Sequence, residues 1–229
     1  MKDIKILKPG DLGFGYLIEN DAGYIDPTIK ENKPFLNELH NLSTDNVKTP
    51  DPLKVIVVLQ KYGVENRNGR IYPENILKRE NERYQELIRD RRAIGELEHP
   101  ESSVIAGDRV SHNILRTWWE GKTLMGEMEI LMSLGYINYG IVSTKGDEVA
   151  NLLRNKIMIG VSSRGVGSLQ EINGKNLVQD DFELICWDIV TTPSTPGSWI
   201  FKSSQEAKPF TESKINHKNL INELDKFLL

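Results

Sequence analysis

The sequence predicts a β-barrel or α+β domain, and three observations lead there. The run Leu53-Lys54-Val55-Ile56-Val57-Val58-Leu59-Gln60 is β-branched and apolar, as a buried strand is. Two alternating stretches flank Glu120-Gly121, and two more flank Asn173-Gly174, a dipeptide that tolerates positive φ and so favours tight hairpins. Between these lies one long amphipathic helix pattern behind Pro73, with a shorter one from Gly146. Many strands with turn signals and few helices give that class.

Taken in order, residues 1–52 are poorly patterned. Gly10, Gly13, Gly15 and Gly23 interrupt the first part, and Pro27, Pro34, Pro50 and Pro52 the rest. Short strands or an extended arm are expected, with one helical turn at Phe35-Leu36-Asn37-Glu38-Leu39. After the buried strand comes an Asn68-Gly69 turn. Pro73 then starts a helix, because proline suits a first turn, and Glu74 suits the positive end of its dipole. Ile76, Leu77, Tyr84, Leu87 and Ile88 keep one apolar face to about Arg92.

A short strand-like stretch, Ala93 to His99, is followed by Pro100, which biases His99 toward extended backbone. Val110–Trp119 and Lys122–Leu131 form the first hairpin. The segment Gly160-Val161-Ser162-Ser163-Arg164-Gly165-Val166-Gly167 carries three glycines around two serines and an arginine, and a glycine-rich loop is expected there. Ser168–Ile172 and Asn176–Gln179 form the second hairpin, and Phe182–Val190 a last strand, stopped by Thr191-Thr192-Pro193. The domain expectation is an arm over 1–52, a core over 53–201, a linker over 202–213 and a C-terminal amphipathic helix over 214–229. That helix follows from the spacing of Leu220, Ile221, Leu224, Phe227 and Leu228.

Composition narrows the function. Among 229 residues the formal net charge is −4, and 38% are hydrophobic and 27% charged. That balance leaves no basic footprint for nucleic acid. A single cysteine, Cys186, allows no internal disulfide and fits a reducing compartment. No apolar run approaches the roughly 18 residues of a membrane span, and no signal-peptide pattern opens the chain. The expectation is a soluble intracellular protein.

Three residues carry the chemistry that the pattern suggests: His99 before a proline, Ser162 among glycines and Asp188 inside an apolar strand. A serine hydroxyl is a poor nucleophile at its own pKa and needs a base. Histidine supplies one, and a third group fixes its tautomer and steadies the imidazolium. Ser163 competes with Ser162 for the first role. The bland readings are a turn-capping serine, a surface histidine and a buried carboxylate bonded to the backbone of Thr191-Thr192. Arg164 or the Gly165 N–H could line an oxyanion hole, where donors sit about 3 Å from the developing charge; Arg164 could equally pair with a carboxylate. Reading Glu96, His99, Asp108 and His112 as metal ligands is disfavoured, since no His-Glu-x-x-His spacing occurs. No cofactor is expected. Glu96, Glu98 and the Trp118-Trp119 pair read as framework, and His112 as a core or surface histidine.

Four blocks together resemble the prohead (procapsid) maturation proteases of tailed bacteriophages. They are Asn66-Arg67-Asn68-Gly69-Arg70-Ile71-Tyr72-Pro73, Gly95-Glu96-Leu97-Glu98-His99-Pro100, Gly160 to Ser168, and Asp188 with Pro193-Ser194 and Pro196. They come in the family's order over about residues 53–201. The resemblance implies an antiparallel β-barrel of the herpesvirus assemblin type with flanking helices. It also implies His99 as general base, Ser162, the first serine of the pair, as nucleophile, and Asp188 as orienting group. The assemblins place a second histidine at that third position. Scaffold core and major capsid proteins become the expected substrates, cut after glutamate in hydrophobic-x-Glu sites inside the assembling prohead, in the host cytoplasm, by a homo-oligomeric enzyme that also cuts itself. Arg67, Arg70 and Arg109 are then candidate cations for that glutamate. Leu36-Asn37-Glu38 and Ile221-Asn222-Glu223 fit the site, so removal of the C-terminal helix on activation is expected. The rival reading is a non-catalytic shell, scaffold or tube component on the same fold.

Overall fold

Ten strands and three α-helices form within the described residues of a computed structural model, 4–8, 10–18, 51–100, 102–155 and 157–203. In chain order they are β1 (Gly13–Ile18), β2 (Leu53–Lys61), β3 (Arg70–Ile71), α1 (Glu74–Arg89), β4 (Ile94–Glu96), β5 (Val110–Glu120) and β6 (Thr123–Ile130). There follow α2 (Leu134–Tyr139), α3 (Lys145–Arg154), β7 (Gly160–Ile172), β8 (Lys175–Val178), β9 (Glu183–Val190) and β10 (Ile200–Ser203). The helical turn expected at 35–39, the C-terminal helix and both hydrophobic-x-Glu matches lie outside the described residues.

The strands make two five-stranded sheets rather than one closed ladder. One runs β1-β7-β8-β3, with β9 also pairing β7; the other runs β10-β2-β6-β5-β4. Isolated bridges, Leu97 to Ile189 and Gly160 to Trp199, join the two at their borders. The expected antiparallel barrel is therefore met as an α+β arrangement of two sheets touching at two seams. The pairing of β3 with β8 is parallel.

Both hairpin signals hold. Asn173 and Gly174 turn with φ of 54° and 75°, so β7 continues directly into β8. Gly121, at φ 57°, turns β5 into β6. The main difference lies at 160–167. Those residues are the first eight of the thirteen-residue strand β7, not a loop. Glycine there serves packing: a Cβ on Gly165 would lie 2.4 Å from the Phe182 ring. Within 1–52, where short strands or an extended arm are expected, β1 pairs with β7 from Gly13↔Leu169 to Ile18↔Arg164, so the sheet begins before residue 53. Helix α2 was not expected; its signals are Ser133, whose side chain accepts from the Tyr136 N–H, and Gly140, left-handed at φ 72°. Strand β10 likewise falls where the linker was expected to begin.

The main core lies between the sheets. Val55, Val57 and Leu59 of β2, Leu124, Met128 and Ile130 of β6, and Val161, Trp187 and Ile189 of β7 and β9 fill it. Helix α1 covers one side with Tyr84, whose ring meets Trp187 edge-on at 4.6 Å. Helix α3 covers another with Val149, Ala150 and Leu153. It starts at a capping box of Thr144 and Asp147, and the Asp147 carboxylate also accepts the N–H groups of Ser133 and Ser143 at 2.7 and 2.9 Å.

Candidate active site

Strand alternation decides which serine meets the carboxylate. Antiparallel β7 and β9 place Ser162 opposite Asp188, Ser163 opposite Trp187 and Arg164 opposite Cys186. Opposed residues share a face, and successive ones alternate. Val161, Ser163, Trp187 and Ile189 thus face the main core, while Ser162, Arg164, Cys186 and Asp188 face the other way. Ser163 Oγ is buried on the core side with no hydrogen-bond partner.

The third residue arrives from the turn after β4. Leu97 bridges to Ile189, and the Glu98 N–H donates to the Ile189 carbonyl at 2.7 Å. Glu98 takes φ of +63°, unusual for a residue with a side chain, and its carboxylate accepts the Thr191 N–H at 3.0 Å. This turn delivers His99, whose Nδ1 lies 2.7 Å from Asp188 Oδ2. Both side chains are fully buried. A proton on Nδ1 then donates to the carboxylate and leaves Nε2 as the acceptor. Nε2 has no hydrogen-bond partner. Ser162, also fully buried, accepts the Ser194 N–H at 3.3 Å.

Asp188 is held from several sides. Its Oδ1 accepts the Glu96 N–H at 2.9 Å and Arg164 Nη2 at 3.1 Å, and Arg164 Nε lies 2.9 Å from Oδ2. Burial works against its charge, but the hydrogen bond and charge of His99, the Arg164 guanidinium and the Glu96 amide together hold the carboxyl below the ordinary carboxylate range. Burial instead pushes the neighbouring Cys186 thiol well up, which keeps it neutral and unreactive. Behind β9, His112 Nε2–H donates to the Trp187 carbonyl at 3.0 Å, and burial lowers the imidazole to about 4.

A family model described as "Prohead core protein serine protease" matches residues 17–214. The chain belongs to that family. The "Prohead core protein protease" of Enterobacteria phage T4 is 33% identical over 154 residues, covering 66% of this chain and 66% of that relative. The solved structure of the bacteriophage T4 capsid assembly protease, gp21, matches with a TM-score of 0.56 and 28% identity over 62% of this chain and 84% of that one. The prohead protease family thus accounts for the α+β fold, and its matched span takes in β2 to β10 with all three candidate residues.

Within this prohead protease chain the accessory expectations fare unevenly. The Nη groups of Arg164 are not left free for a developing oxyanion: they donate to Asp188, to Glu96 Oε1 at 3.3 Å, to the Ser102 carbonyl at 2.8 Å and to Cys186 Sγ at 3.2 Å. Gly165 lies inside the sheet, paired with Leu17 on one side and Leu184 on the other, so its amide belongs to a ladder region. Arg70 is buried and donates to the carbonyls of Leu7 and Ile18, which ties the N-terminal segment down. Arg109 pairs with Glu96 at 3.0 Å. The Arg67 N–H donates to the Ser194 carbonyl at 3.1 Å, which puts that residue next to the segment touching Ser162. Ser194 and Glu96 join the site through tertiary contacts. Only the Pro193-Ser194-x-Pro196 and Gly95-Glu96 blocks hinted at them. Among the described residues no group of histidines, cysteines and carboxylates could hold a metal ion.

Proposed function

We propose that this chain is a serine endopeptidase that matures the phage prohead, with Ser162 as nucleophile, His99 as general base and Asp188 as orienting carboxylate. The observation that carries the reading is the His99–Asp188 contact of 2.7 Å beside a serine set on the same sheet face by strand pairing. Ser162 Oγ attacks the scissile carbonyl as His99 Nε2 takes its proton. The C–N bond of the tetrahedral adduct then breaks, and His99 returns that proton to the leaving amine. Water attacks the acyl-enzyme with His99 again as base, releasing the new carboxyl terminus. Asp188 stays ionised throughout and steadies the imidazolium. The Ser194 N–H, already donating to Ser162 Oγ, is the donor we assign to the developing oxyanion.

Ser162 and His99 are not hydrogen bonded to each other in this structure. Bringing the serine hydroxyl and Nε2 into contact is the step that substrate must bring about, and such contacts commonly tighten only in the substrate complex. The substrates are the scaffold core and capsid proteins of the prohead, cut after glutamate. The chain also cuts itself, acts as a homo-oligomer and works inside the particle. The test is incubation of the chain with its scaffold protein, wild type against Ser162→Ala, with sequencing of the products. Scaffold fragments ending in glutamate only with the wild type are expected. Equal cutting by Ser162→Ala overturns the assignment.

A further inference from the structure

An alternating row of charges runs from the surface to His99: Arg109, Glu96, Arg164, Asp188. Arg109 Nε lies 3.0 Å from Glu96 Oε2, and Arg164 Nη2 lies 3.3 Å from Glu96 Oε1. Arg164 then makes two contacts with Asp188, at 2.9 and 3.1 Å, and Asp188 meets His99. Glu96, Arg164 and Asp188 are fully buried, whereas Arg109 is partly exposed.

The same groups fasten the segment that carries His99. Glu96 Oε1 also accepts the Ala106 N–H at 2.8 Å, Arg164 Nη1 donates to the Ser102 carbonyl at 2.8 Å, and Arg109 Nη2 donates to the Leu97 carbonyl at 3.4 Å. The chain between β4 and β5 is thereby tied at both ends of the histidine's turn. Two buried ions at β4 and β7 are costly unless paired, and pairing of this geometry fixes orientation.

We propose that Arg164 and Glu96 are positioning residues of this active site: Arg164 aims the Asp188 carboxylate at His99, and Glu96 holds Arg164 while clamping the His99 segment. The inference rests on the serine-protease reading above. Neither residue touches the reacting atoms; both act through Asp188 and His99. Their opposite charges also act oppositely on the imidazolium, since the guanidinium disfavours it and the carboxylate favours it. The other charged or titratable groups around the pair are Cys186 on β9, Glu98 and Arg109 on the β4–β5 connection, His112 on β5 and Tyr84 on α1. None of them is altered by the substitutions below.

The test follows labelling of Ser162 in the full chain by diisopropyl fluorophosphate, read as the second-order rate against pH with intact-mass detection. Wild type, Glu96→Gln, Arg164→Lys and Arg164→Gln are compared. Arg164→Gln removes a positive charge, so the acid midpoint moves up; Glu96→Gln removes a negative one, so it moves down, each by about half a pH unit or more. Arg164→Lys keeps the charge but loses the fork, so the plateau rate falls about tenfold with a midpoint near that of the wild type. A purely structural role lowers the labelled fraction and leaves every midpoint in place, and that result overturns the inference. Should Arg164→Gln fail to fold, an unmoved midpoint in Glu96→Gln is enough to overturn it. An unlabelled wild type, or labelling that survives Ser162→Ala, overturns the protease reading and this inference with it. Serine-dependent labelling with fixed midpoints overturns the inference alone.

Discussion

His99 Nδ1 and Asp188 Oδ2 stand 2.7 Å apart although 89 positions separate them in the chain. The contact depends on the seam where β4 meets β9, and it exists only because Leu97 and Glu98 pair with Ile189 just before the histidine. Asp188→Asn keeps the shape but cannot hold the same tautomer. Scaffold cleavage should fall by about 10³–10⁴-fold. The change also leaves Arg164 facing an uncharged partner. A stability loss of about 3 kcal/mol in urea is expected.

The register of β7 separates its two serines. Ser162→Ala should abolish cleavage and labelling. Ser163→Ala should retain activity, because its hydroxyl faces Trp187 and the core. Removing a buried hydroxyl without a partner costs little or stabilises, so the urea midpoint should hold or rise by up to about 1 kcal/mol equivalent. Loss of activity in Ser163→Ala with an intact fold would contradict the placement.

Gly95 sits where β4 crosses β9. A Cβ there would come within 2.1 Å of the Trp187 carbonyl and 2.6 Å of the His112 ring. Backbone cannot yield as a flexible side chain does. Gly95→Ala should therefore cost about 3 kcal/mol or more and push the two strands apart. Activity should fall further than the folded fraction does, since His99 and Asp188 ride on those strands. Circular dichroism melting with parallel cleavage assays measures both.

Asp147 gives a stability change with a defined pH window. Hydrogen bonds from Ser133, Ser143 and Thr144 outweigh burial and hold its carboxyl at about 2. The folded value lies below the unfolded one. Its contribution, about 2 kcal/mol, is thus present above pH ~4 and lost as pH falls toward 2. Unfolding free energies of wild type and Asp147→Asn should differ at pH 7 and converge near pH 2.

His112 adds to the loss on acidification, in a higher pH window. Burial drops it to about 4, so between pH ~6.5 and 4 the unfolded chain takes up a proton that the folded chain refuses. Stability should decline by about 3 kcal/mol across that window. His112→Asn should flatten that decline in urea titrations, whatever its cost at pH 8.

Legibility followed the range of the interactions. Local rules sufficed for β2, α1 and the Asn173-Gly174 turn, because β-branching, a 3.6-residue stripe and positive φ are written in adjacent residues. The glycines of 160–167 misled for a physical reason. They are small because Phe182, Pro193 and neighbouring backbone crowd the strand, and sequence alone does not distinguish that need from turn-making. Likewise, His99, Ser162 and Asp188 were visible as reactive types in the right chain order. The partners of Arg164 were not, since a guanidinium looks the same whether it awaits a substrate or neutralises two buried carboxylates. Short elements such as β3, α2 and β10 depend on tertiary contacts and left weak local traces.

Strand β1 closes one flank of β7, and the buried Arg70 guanidinium grips the carbonyl of Leu7 ahead of it and that of Ile18 at its end. An expression clone started at residue 53 would strip both away. It would take two acceptors from a buried cation and bare a row of amides able to recruit foreign chains. Such a shortened product should precipitate, so strand β1 is part of the minimal soluble unit.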